Sequence, residues 1–473
     1  MVSPLVVDLD GTLIRTDLLF ESALRFIRTG PLRIFLLFYW LFQGKAFLKQ
    51  RLAEAVNPLP ELLPYDQRVL DYIEGERAAG RRIILATASH SLYAHAVAEY
   101  LGLFDEVMAT EGKCNLSAKT KRDALIEAFG EKGFDYMGNA HGDIPVWVAA
   151  EKAVVVNPSP GLTARAEKTG NVVLVLKKEA SFFSVWPKAL RLHQWVKNFL
   201  IFVPLLASHR MLEPGLFLQA LLAFFCFGLC ASSVYLLNDM LDLEEDRRHP
   251  SKRMRPFASG ALSLSMGFAV FPLLLLISFL LSFLFLPIAF LFALVAYYSL
   301  TLAYSFGLKR LVLVDVFTLA LLYTLRLVAG ALSVDVALTF WILAFSMFIF
   351  LSLALVKRYA ELHLNLENNG GGKPLGRGYH TEDMGLLLVM GVVAGYLCVL
   401  VLALYIQDEA TSKLYARPEW IWSACILLLF WISRIWLLSH RGEMHDDPVV
   451  FAVRDKISLA VGFLLGLIFW MAL

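Results

Sequence analysis

The sequence contains little charge and few cysteines. Only 18% of its 473 residues are charged, and their sum is a net charge of +2, so no basic excess indicates nucleic-acid binding. Its five cysteines show neither a Cys/His metal-binding spacing nor a disulfide framework. The N-terminus lacks the basic segment and the apolar run of a secretory signal, so we expect the first domain to stay in the cytoplasm.

Apolar residues are abundant and unevenly distributed. They make up 58% of the chain and give a mean hydropathy of +0.62, above the soluble average. We expect a soluble α/β domain at 1–175, an interfacial linker at 176–195, and an all-α polytopic membrane domain of about nine transmembrane helices at 196–473. The expected spans are 196–211, 215–237, 262–281, 284–304, 311–332, 338–356, 385–406, 419–439 and 450–472.

Lysine and arginine are concentrated in alternate loops of the membrane domain. If the N-terminus lies inside, the loops near 238–260, 305–310, 357–384 and 440–449 are also inside, and they carry most of these residues. This asymmetry satisfies the positive-inside rule. We therefore expect a multi-pass protein of a bacterial or archaeal inner membrane, with the N-terminal domain and the active sites on the cytoplasmic side.

A polar stretch with three regularly spaced aspartates lies between two long apolar runs. Asp239, Asp242 and Asp246 occur at i, i+3 and i+7, a spacing that puts three carboxylates on one face of a helix. We call these residues the acidic ladder. Such a face suits Mg²⁺ held against a phosphate, although a charged loop between two helices is the plainer interpretation. Three cations come after the ladder and are suited to binding further phosphate oxygens. They are Lys252, Arg253 and Arg255.

The pattern Asn238-Asp-x-x-Asp-x-x-x-Asp246 resembles the first signature of the UbiA superfamily of intramembrane prenyltransferases. The segment 249–256 is similar to the branch that moves phosphoribose onto polyprenyl phosphate. The resemblance implies that Asp239 and Asp242 are catalytic, that the ladder binds Mg²⁺, and that Asn238 binds substrate. The other substrate-binding candidates are Lys197, Tyr304, Lys309, Arg326, Lys357 and Arg358. The alternative for Lys197 is a lysine that snorkels to the membrane interface, and the alternative for Lys357 and Arg358 is a positive-inside stop.

A single aspartate follows the fourth expected span. Asp315 lies about one turn inside an apolar helix, where an ionisable side chain indicates function, and we expect it to contribute to Mg²⁺ binding. Many UbiA prenyltransferases carry a second aspartate ladder at this point. The single Asp315 therefore favours the phosphoribosyl branch over a prenyl diphosphate donor.

The N-terminal domain opens with a short apolar strand that ends in two aspartates. Asp8 and Asp10 alternate with Leu9, so both can face one pocket, and in open α/β sheets ligands bind at this end of the strands. Further polar groups end the later strands or open a helix: Thr87, Lys119, Lys121, Asn139 and Asp143.

This order of motifs resembles the haloacid dehalogenase (HAD) superfamily, a Rossmann-like fold with a helical cap, over residues 1 to about 160. The resemblance implies that Asp8 is the nucleophile and Asp10 the general acid and base. It also implies that Thr87 and Lys121 hold the phosphoryl group, with Lys119 as the alternative to Lys121. The implied Mg²⁺ ligands are Asp8, Asp10, Asn139 and Asp143. The last family motif usually begins Gly-Asp, but here an amide, a weaker ligand, stands at Asn139, so a degenerate, structural domain is the alternative.

The long insertion between Asp10 and Thr87 predicts a helical cap at about 15–80. It contains the apolar run Ile34–Phe42, which is flanked by Arg33 and Lys45 and is too short to span a bilayer. The run is either part of the cap core or an interfacial helix that leans on the membrane.

Together these features predict a bifunctional membrane enzyme with one Mg²⁺ site in each domain. The membrane domain would transfer 5-phosphoribose from phosphoribosyl diphosphate to a polyprenyl phosphate and release diphosphate. The HAD domain would then remove the 5-phosphate from this lipid-linked cell-wall precursor. The alternatives are a prenyltransferase with a prenyl diphosphate donor and an aromatic acceptor, and a transporter or scaffold with an inactive HAD domain. The bilayer is an expected partner, nucleic acid is not, and the sequence leaves an oligomer open.

Overall fold

The computed structural model describes residues 3–111, 116–178, 181–369, 372, 378–408, 415–444 and 447–472. The chain divides into two compact units. The first, the N-terminal unit, combines Met1–Leu190 with Leu236–Val270, so it contains the acidic ladder as well as the N-terminal α/β fold. The second, the helical unit, combines Arg191–Tyr235 with Phe271–Leu473.

A parallel sheet of six strands forms the centre of the N-terminal unit, in the order β3-β2-β1-β4-β5-β6. The short strand β1 is buried and pairs with both β2 and β4, which is why its residues are all apolar. The sheet confirms the expected Rossmann-like fold, and it includes one strand, β3, that the sequence did not indicate. The strands are β1 (Leu5–Val7), β2 (Ile83–His90), β3 (Glu106–Thr110), β4 (Asp135–Gly138), β5 (Ala153–Val156) and β6 (Val172–Leu176).

Four helices lie between β1 and β2, within the expected insertion. The first begins after Asp17, whose carboxylate accepts hydrogen bonds from the backbone N–H groups of Leu19 and Phe20 and so caps the helix. These helices are α1 (Leu18–Arg28), α2 (Ile34–Phe42), α3 (Lys45–Ala55) and α4 (Gln67–Ala78). The remaining helices before the helical unit are α5 (Ser91–Leu101), α6 (Lys119–Phe129), α7 (Ile144–Ala149), α8 (Leu162–Glu167) and α9 (Phe182–Ala189).

Among the described residues, seven helical segments are long and apolar enough to cross a membrane, and a bent pair could form an eighth span. This count is close to the nine expected. The two helices of the pair meet at an angle of 82°. The long helices are α11 (Pro214–Leu241), α13 (Leu264–Phe285), α14 (Ile288–Phe306), α15 (Val314–Ser333), α16 (Phe340–Asn369), α17 (Met384–Ile406) and α18 (Ile421–His440), and the pair is α19 (Pro448–Arg454) and α20 (Lys456–Ala472).

The first expected span, 196–211, is not one long helix. A 3₁₀ segment, Leu192–Phe202, leads into the five-residue helix α10 (Val203–Ala207). Two polar side chains of the 3₁₀ segment, Lys197 and Asn198, are buried and have partners within the helical unit. Gly330 of α15 lies so close to the Ile201 carbonyl that a Cβ there would overlap it. The segment is therefore packed closely against α15.

Candidate active sites

The first cluster of buried polar groups lies at the carboxyl end of β1. The Lys121 ammonium donates to Asp8 Oδ1 at 2.7 Å and to the Tyr136 hydroxyl at 2.9 Å. The Tyr136 hydroxyl donates to Asp143 Oδ1, also at 2.9 Å. The charged members of this cluster, Asp8, Lys121 and Asp143, are all buried, whereas Lys119 is exposed. Of the two lysines that the sequence offered, Lys121 is thus the one that contacts Asp8.

Asp10 lies beside the hydroxyl groups that end β2. Its Oδ2 accepts from Ser89 Oγ at 2.6 Å and from Thr87 Oγ1 at 3.5 Å, while its Oδ1 accepts from the Leu18 backbone N–H. Burial, together with the negative charge of Asp17, raises the pKa of Asp10 to about 6, although the hydrogen bond from Ser89 lowers it. A carboxyl that titrates near neutrality can both give and take a proton at cellular pH.

The Asp143 carboxylate is held at the end of β4. Its Oδ2 accepts from the backbone N–H groups of Asn139 and Ala140 at 3.0 and 2.9 Å. The Asn139 side chain lies directly against Gly11, which has a φ of +75° and has no room for a Cβ. Gly11 therefore lets the amide approach the loop that follows Asp8.

The oxygen groups around Asp8 fit a divalent cation. Burial raises the pKa of Asp8 to about 7, and the nearby charges of Asp143 and Asp10 also raise it, while Lys121 lowers it. Mutual repulsion of buried carboxylates is what a bound Mg²⁺ would relieve. Within the described ranges no three Asp, Glu, His or Cys side chains converge as a ready-made metal site. Mg²⁺ usually keeps several waters and takes only one or two protein carboxylates with substrate phosphate, so Asp8, Asp10 and Asp143 would be the carboxylates to hold it.

The acidic ladder spans two consecutive helices rather than one. Helix α11 ends at Leu241, and Asp242, at φ −94° and ψ 15°, precedes α12 (Leu243–Arg248). The backbone still bonds in helical fashion, because Asp242 N donates to Asn238 O and Asp246 N donates to Asp242 O, each at 2.9 Å. The break therefore leaves the spacing of the ladder helical.

Arg255 links two rungs of the ladder. Its Nη1 lies 3.0 Å from Asp239 Oδ1 and 2.7 Å from Asp246 Oδ2, and Asn238 donates to Asp242 at 3.1 Å. Burial raises the pKa of Asp246 to about 6; Arg255 lowers it, and the charges of Asp239 and Asp242 raise it again. The ladder is thus a set of mutually repelling carboxylates that a cation stabilises, which fits Mg²⁺. Lys252 and Arg253, by contrast, have exposed side chains.

Three ion pairs join α1 to α12 within the N-terminal unit. Arg247 forms a two-pronged pair with Glu21, at 2.5 and 3.0 Å, and both side chains are largely buried. Arg25 pairs with Glu244, and Arg28 pairs with Glu245. Glu244 and Glu245 lie between Asp242 and Asp246 in the sequence, and Arg247 directly follows Asp246.

A second set of buried polar groups, in the helical unit, centres on Asp447. Its Oδ2 accepts from Lys197 Nζ at 2.7 Å and from Lys357 Nζ at 3.0 Å, and its Oδ1 accepts from the Tyr323 hydroxyl at 3.1 Å. Although burial alone would raise it, Lys357 and Lys197 hold the pKa of Asp447 well below its ordinary value. Two lysines thus share one carboxylate.

Asp315 is buried in an ion pair. Its Oδ2 lies 2.8 Å from Arg358 Nη2, and its Oδ1 accepts from the Tyr379 hydroxyl at 2.7 Å. Arg326, on the same helix as Asp315, instead donates to Asn198 at 3.1 Å and to the Tyr297 hydroxyl at 3.0 Å. The remaining substrate-binding candidates, Tyr304 and Lys309, are partly exposed.

Several polar groups at these sites did not stand out in the sequence. Ser89 lies two residues after Thr87 on the same strand, and this period-two spacing could have indicated it. No local signal marks the others, most of which reach their partners across a long stretch of chain. They are Glu21, Tyr136, Asn198, Tyr297, Tyr323 and Tyr379.

Comparison with known proteins yields two family matches. Residues 199–453 match the UbiA prenyltransferase family and residues 5–146 match the haloacid dehalogenase-like hydrolases. The uncharacterized protein y4nM of Sinorhizobium fredii is 38% identical over 99% of this chain and 91% of its own length. The nodulation protein NoeC of Azorhizobium caulinodans is 39% identical over 61% of this chain and 94% of its own. A decaprenyl-phosphate phosphoribosyltransferase of Mycobacterium tuberculosis is 30% identical over 57% and 88%.

These matches fit the two folds and the two motif sets described above. The matched UbiA region covers more than half of the chain, and the HAD region covers the first four strands of the parallel sheet, β1 to β4. The chain therefore belongs to the UbiA prenyltransferase family of membrane transferases and carries a HAD-like domain at its N-terminus.

Proposed function

We propose that this protein transfers 5-phosphoribose from phosphoribosyl diphosphate to a polyprenyl phosphate. In this reaction the bond between ribose C1 and the diphosphate oxygen breaks, and diphosphate leaves with the electron pair. A phosphate oxygen of the polyprenyl phosphate forms the new bond to C1. The acidic ladder would hold Mg²⁺, which supplies charge neutralisation for the leaving diphosphate.

The main support for this proposal is that Asp315 is a single aspartate with a counter-ion. Asp315 forms an ion pair with Arg358 and accepts a hydrogen bond from Tyr379. One turn further on the chain has Thr318 and Leu319 instead of a second aspartate. A single neutralised carboxylate does not form a second metal ladder of the kind that serves prenyl diphosphate donors. The likeness to decaprenyl-phosphate phosphoribosyltransferases supports the same choice.

The lysines that contact Asp447 are candidates for binding an anion. Lys197 and Lys357 both donate to a single carboxylate, and an ammonium group has further N–H donors that a phosphate could accept from. Tyr323 lies beside them and donates to the same Asp447. We propose that these lysines bind a phosphate group of one substrate.

The HAD-like domain would remove the 5-phosphate from the lipid-linked product. Asp8 would attack phosphorus, and the ribose oxygen would leave with a proton from Asp10. Water would then attack the aspartyl-phosphate and lose its proton to Asp10. Lys121 would neutralise charge beside Asp8 throughout. We place both reactions on the cytoplasmic side of a bacterial or archaeal membrane, because of the distribution of lysine and arginine in the loops.

A donor comparison tests the transferase proposal. Purified protein with Mg²⁺ receives either phosphoribosyl diphosphate with polyprenyl phosphate or a prenyl diphosphate with an aromatic acceptor, and diphosphate release is followed. We expect release with phosphoribosyl diphosphate that Asp239→Asn abolishes and that Glu382→Gln, a matched neutralisation of an exposed carboxylate, leaves intact. Release only with the prenyl donor and an aromatic acceptor would support the alternative, a prenyltransferase.

A further inference from the structure

Helix α2 presents an aromatic face that no part of the described chain covers. Phe35, Phe38, Tyr39 and Phe42 stand at i, i+3, i+4 and i+7, which puts them on one side of the helix, and their exposed fractions run from 55% to 89%. We call this the aromatic face. None of the nine residues of α2 is fully buried. Exposed apolar patches of this kind mark interaction sites.

The other side of α2 is anchored to the neighbouring helices. Leu37 and Trp40 pack against a small core that includes Phe26 and Leu48, and the rings of Trp40 and Phe26 are 4.9 Å apart. Helix α2 is therefore a fixed part of this unit, and the exposure of its outer side does not come from a failure to pack.

We propose that the aromatic face contacts the surface of the lipid bilayer in which this chain is embedded. The seven candidate spans of the same chain hold the N-terminal unit near a bilayer at high effective concentration. Aromatic side chains favour the membrane interface. The exposed cations Arg33 and Lys45 flank the helix and suit lipid headgroup phosphates.

This contact gives the HAD-like site a class of substrate. A phosphatase whose cap rests on the bilayer acts on phosphate esters at the membrane surface, and not mainly on soluble ones. This consequence rests on the proposed function of the HAD-like domain, whereas the bilayer contact itself does not.

A probe measurement tests the contact without any enzyme activity. Phe38→Cys is labelled with a polarity-sensitive fluorophore in the full chain, and the protein is placed in nanodiscs with brominated acyl chains. Val148→Cys, at a site with 53% exposure in α7, is the matched control, and the unsubstituted protein corrects for native cysteines. We expect strong quenching at position 38 and weak quenching at 148. Equal quenching at the two positions, or shielding that depends on protein concentration and so indicates a second copy, would overturn the proposal.

An activity measurement tests the consequence. The double variant Phe38→Ser and Phe42→Ser should raise KM for a lipid-linked phosphomonoester by about tenfold and leave the hydrolysis of a soluble aryl phosphate unchanged. An equal loss on both substrates would contradict a surface role. If the parent hydrolyses neither substrate, the proposed phosphatase function fails, while the probe result stands.

Independently, the ion pairs between α1 and α12 point to positioning residues for the acidic ladder. Glu21 and Arg247 form a largely buried, two-pronged pair, and Arg247 directly follows Asp246. The Arg247 Nε also donates to the Ala258 carbonyl at 3.0 Å. We infer that Glu21, through Arg247, sets the geometry with which the ladder binds a divalent cation.

The test is a Mn²⁺ titration followed by electron paramagnetic resonance, with Asp239→Asn used to subtract binding at other sites. Glu21→Gln should weaken binding at the ladder by about tenfold, as the loss of an outer-shell partner does. The exchange variant Glu21→Arg with Arg247→Glu should recover part of it. Glu106→Gln, which removes an exposed pair with Arg82, is the control. Unchanged Mn²⁺ affinity in folded Glu21→Gln protein would overturn the inference.

Discussion

Lys121→Met separates the two lysines that the sequence offered as phosphoryl ligands. Lys121 Nζ lies 2.7 Å from Asp8 Oδ1 and is buried, so its charge acts in a poorly solvated site. Removing one such electrostatic donor costs about 3–4 kcal/mol, or roughly 10²–10³-fold in rate. Lys119 is exposed, so Lys119→Met is a matched change that should leave the rate within about threefold of the parent.

The assay is phosphate release from a soluble aryl phosphate by the full-length protein in detergent. We expect kcat/KM of Lys121→Met to fall by the stated factor. A thermal unfolding curve for each variant separates loss of chemistry from loss of fold, because Lys121→Met also leaves Asp8 without its counter-ion. A folded Lys121→Met protein with parental activity, or an equal loss in Lys119→Met, would refute the assignment of Lys121.

Three further predictions concern stability of the full chain in detergent. Burial alone would raise the pKa of Asp66, but hydrogen bonds from Arg68 and other partners outweigh it and hold this pKa well below its ordinary value. Asp66 therefore stabilises the fold above a pH of about 4, and this contribution should fade as the pH falls further. Thermal unfolding at several pH values should show a smaller loss of stability at low pH in Asp66→Asn than in the parent. Arg358→Leu leaves the buried Asp315 without its counter-ion and should destabilise the helical unit by about 3–5 kcal/mol, measured as a lower unfolding midpoint, whereas an unchanged midpoint would mean that the pair is dispensable. Gly330→Ala forces a methyl group against a backbone carbonyl and should cost about 1–3 kcal/mol in the same measurement.

The sequence predicted features that depend on local pattern. Alternation and strand-end position were enough to bring Asp8, Asp10 and Thr87 together, because β1 and β2 are parallel neighbours and their carboxyl ends meet at one edge. Long apolar runs likewise predicted most of the membrane helices. These features follow from periods of two and 3.6 residues, which are visible in a single sequence.

Features that depend on tertiary pairing could not be predicted in this way. Asp315 was expected as a metal ligand, and nothing local indicated that it pairs with Arg358. Glu21 and Arg247 are separated by 226 positions, and Asp447 gathers lysines that lie 250 and 90 positions away. Residues 196–202 of the 3₁₀ segment were assigned to the first span because most of them are apolar.

One product analysis tests the two-step account most directly. The full-length protein is given Mg²⁺, polyprenyl phosphate and phosphoribosyl diphosphate that carries ¹⁴C in the ribose and ³²P in the 5-phosphate. The account predicts a lipid fraction that contains ¹⁴C and little ³²P, a lipid fraction with both labels in equal amounts for Asp8→Asn, and neither label for Asp239→Asn. Lipid from the parent that keeps both labels in equal amounts would contradict the phosphatase step, and the absence of ¹⁴C from that lipid would contradict phosphoribosyl transfer itself.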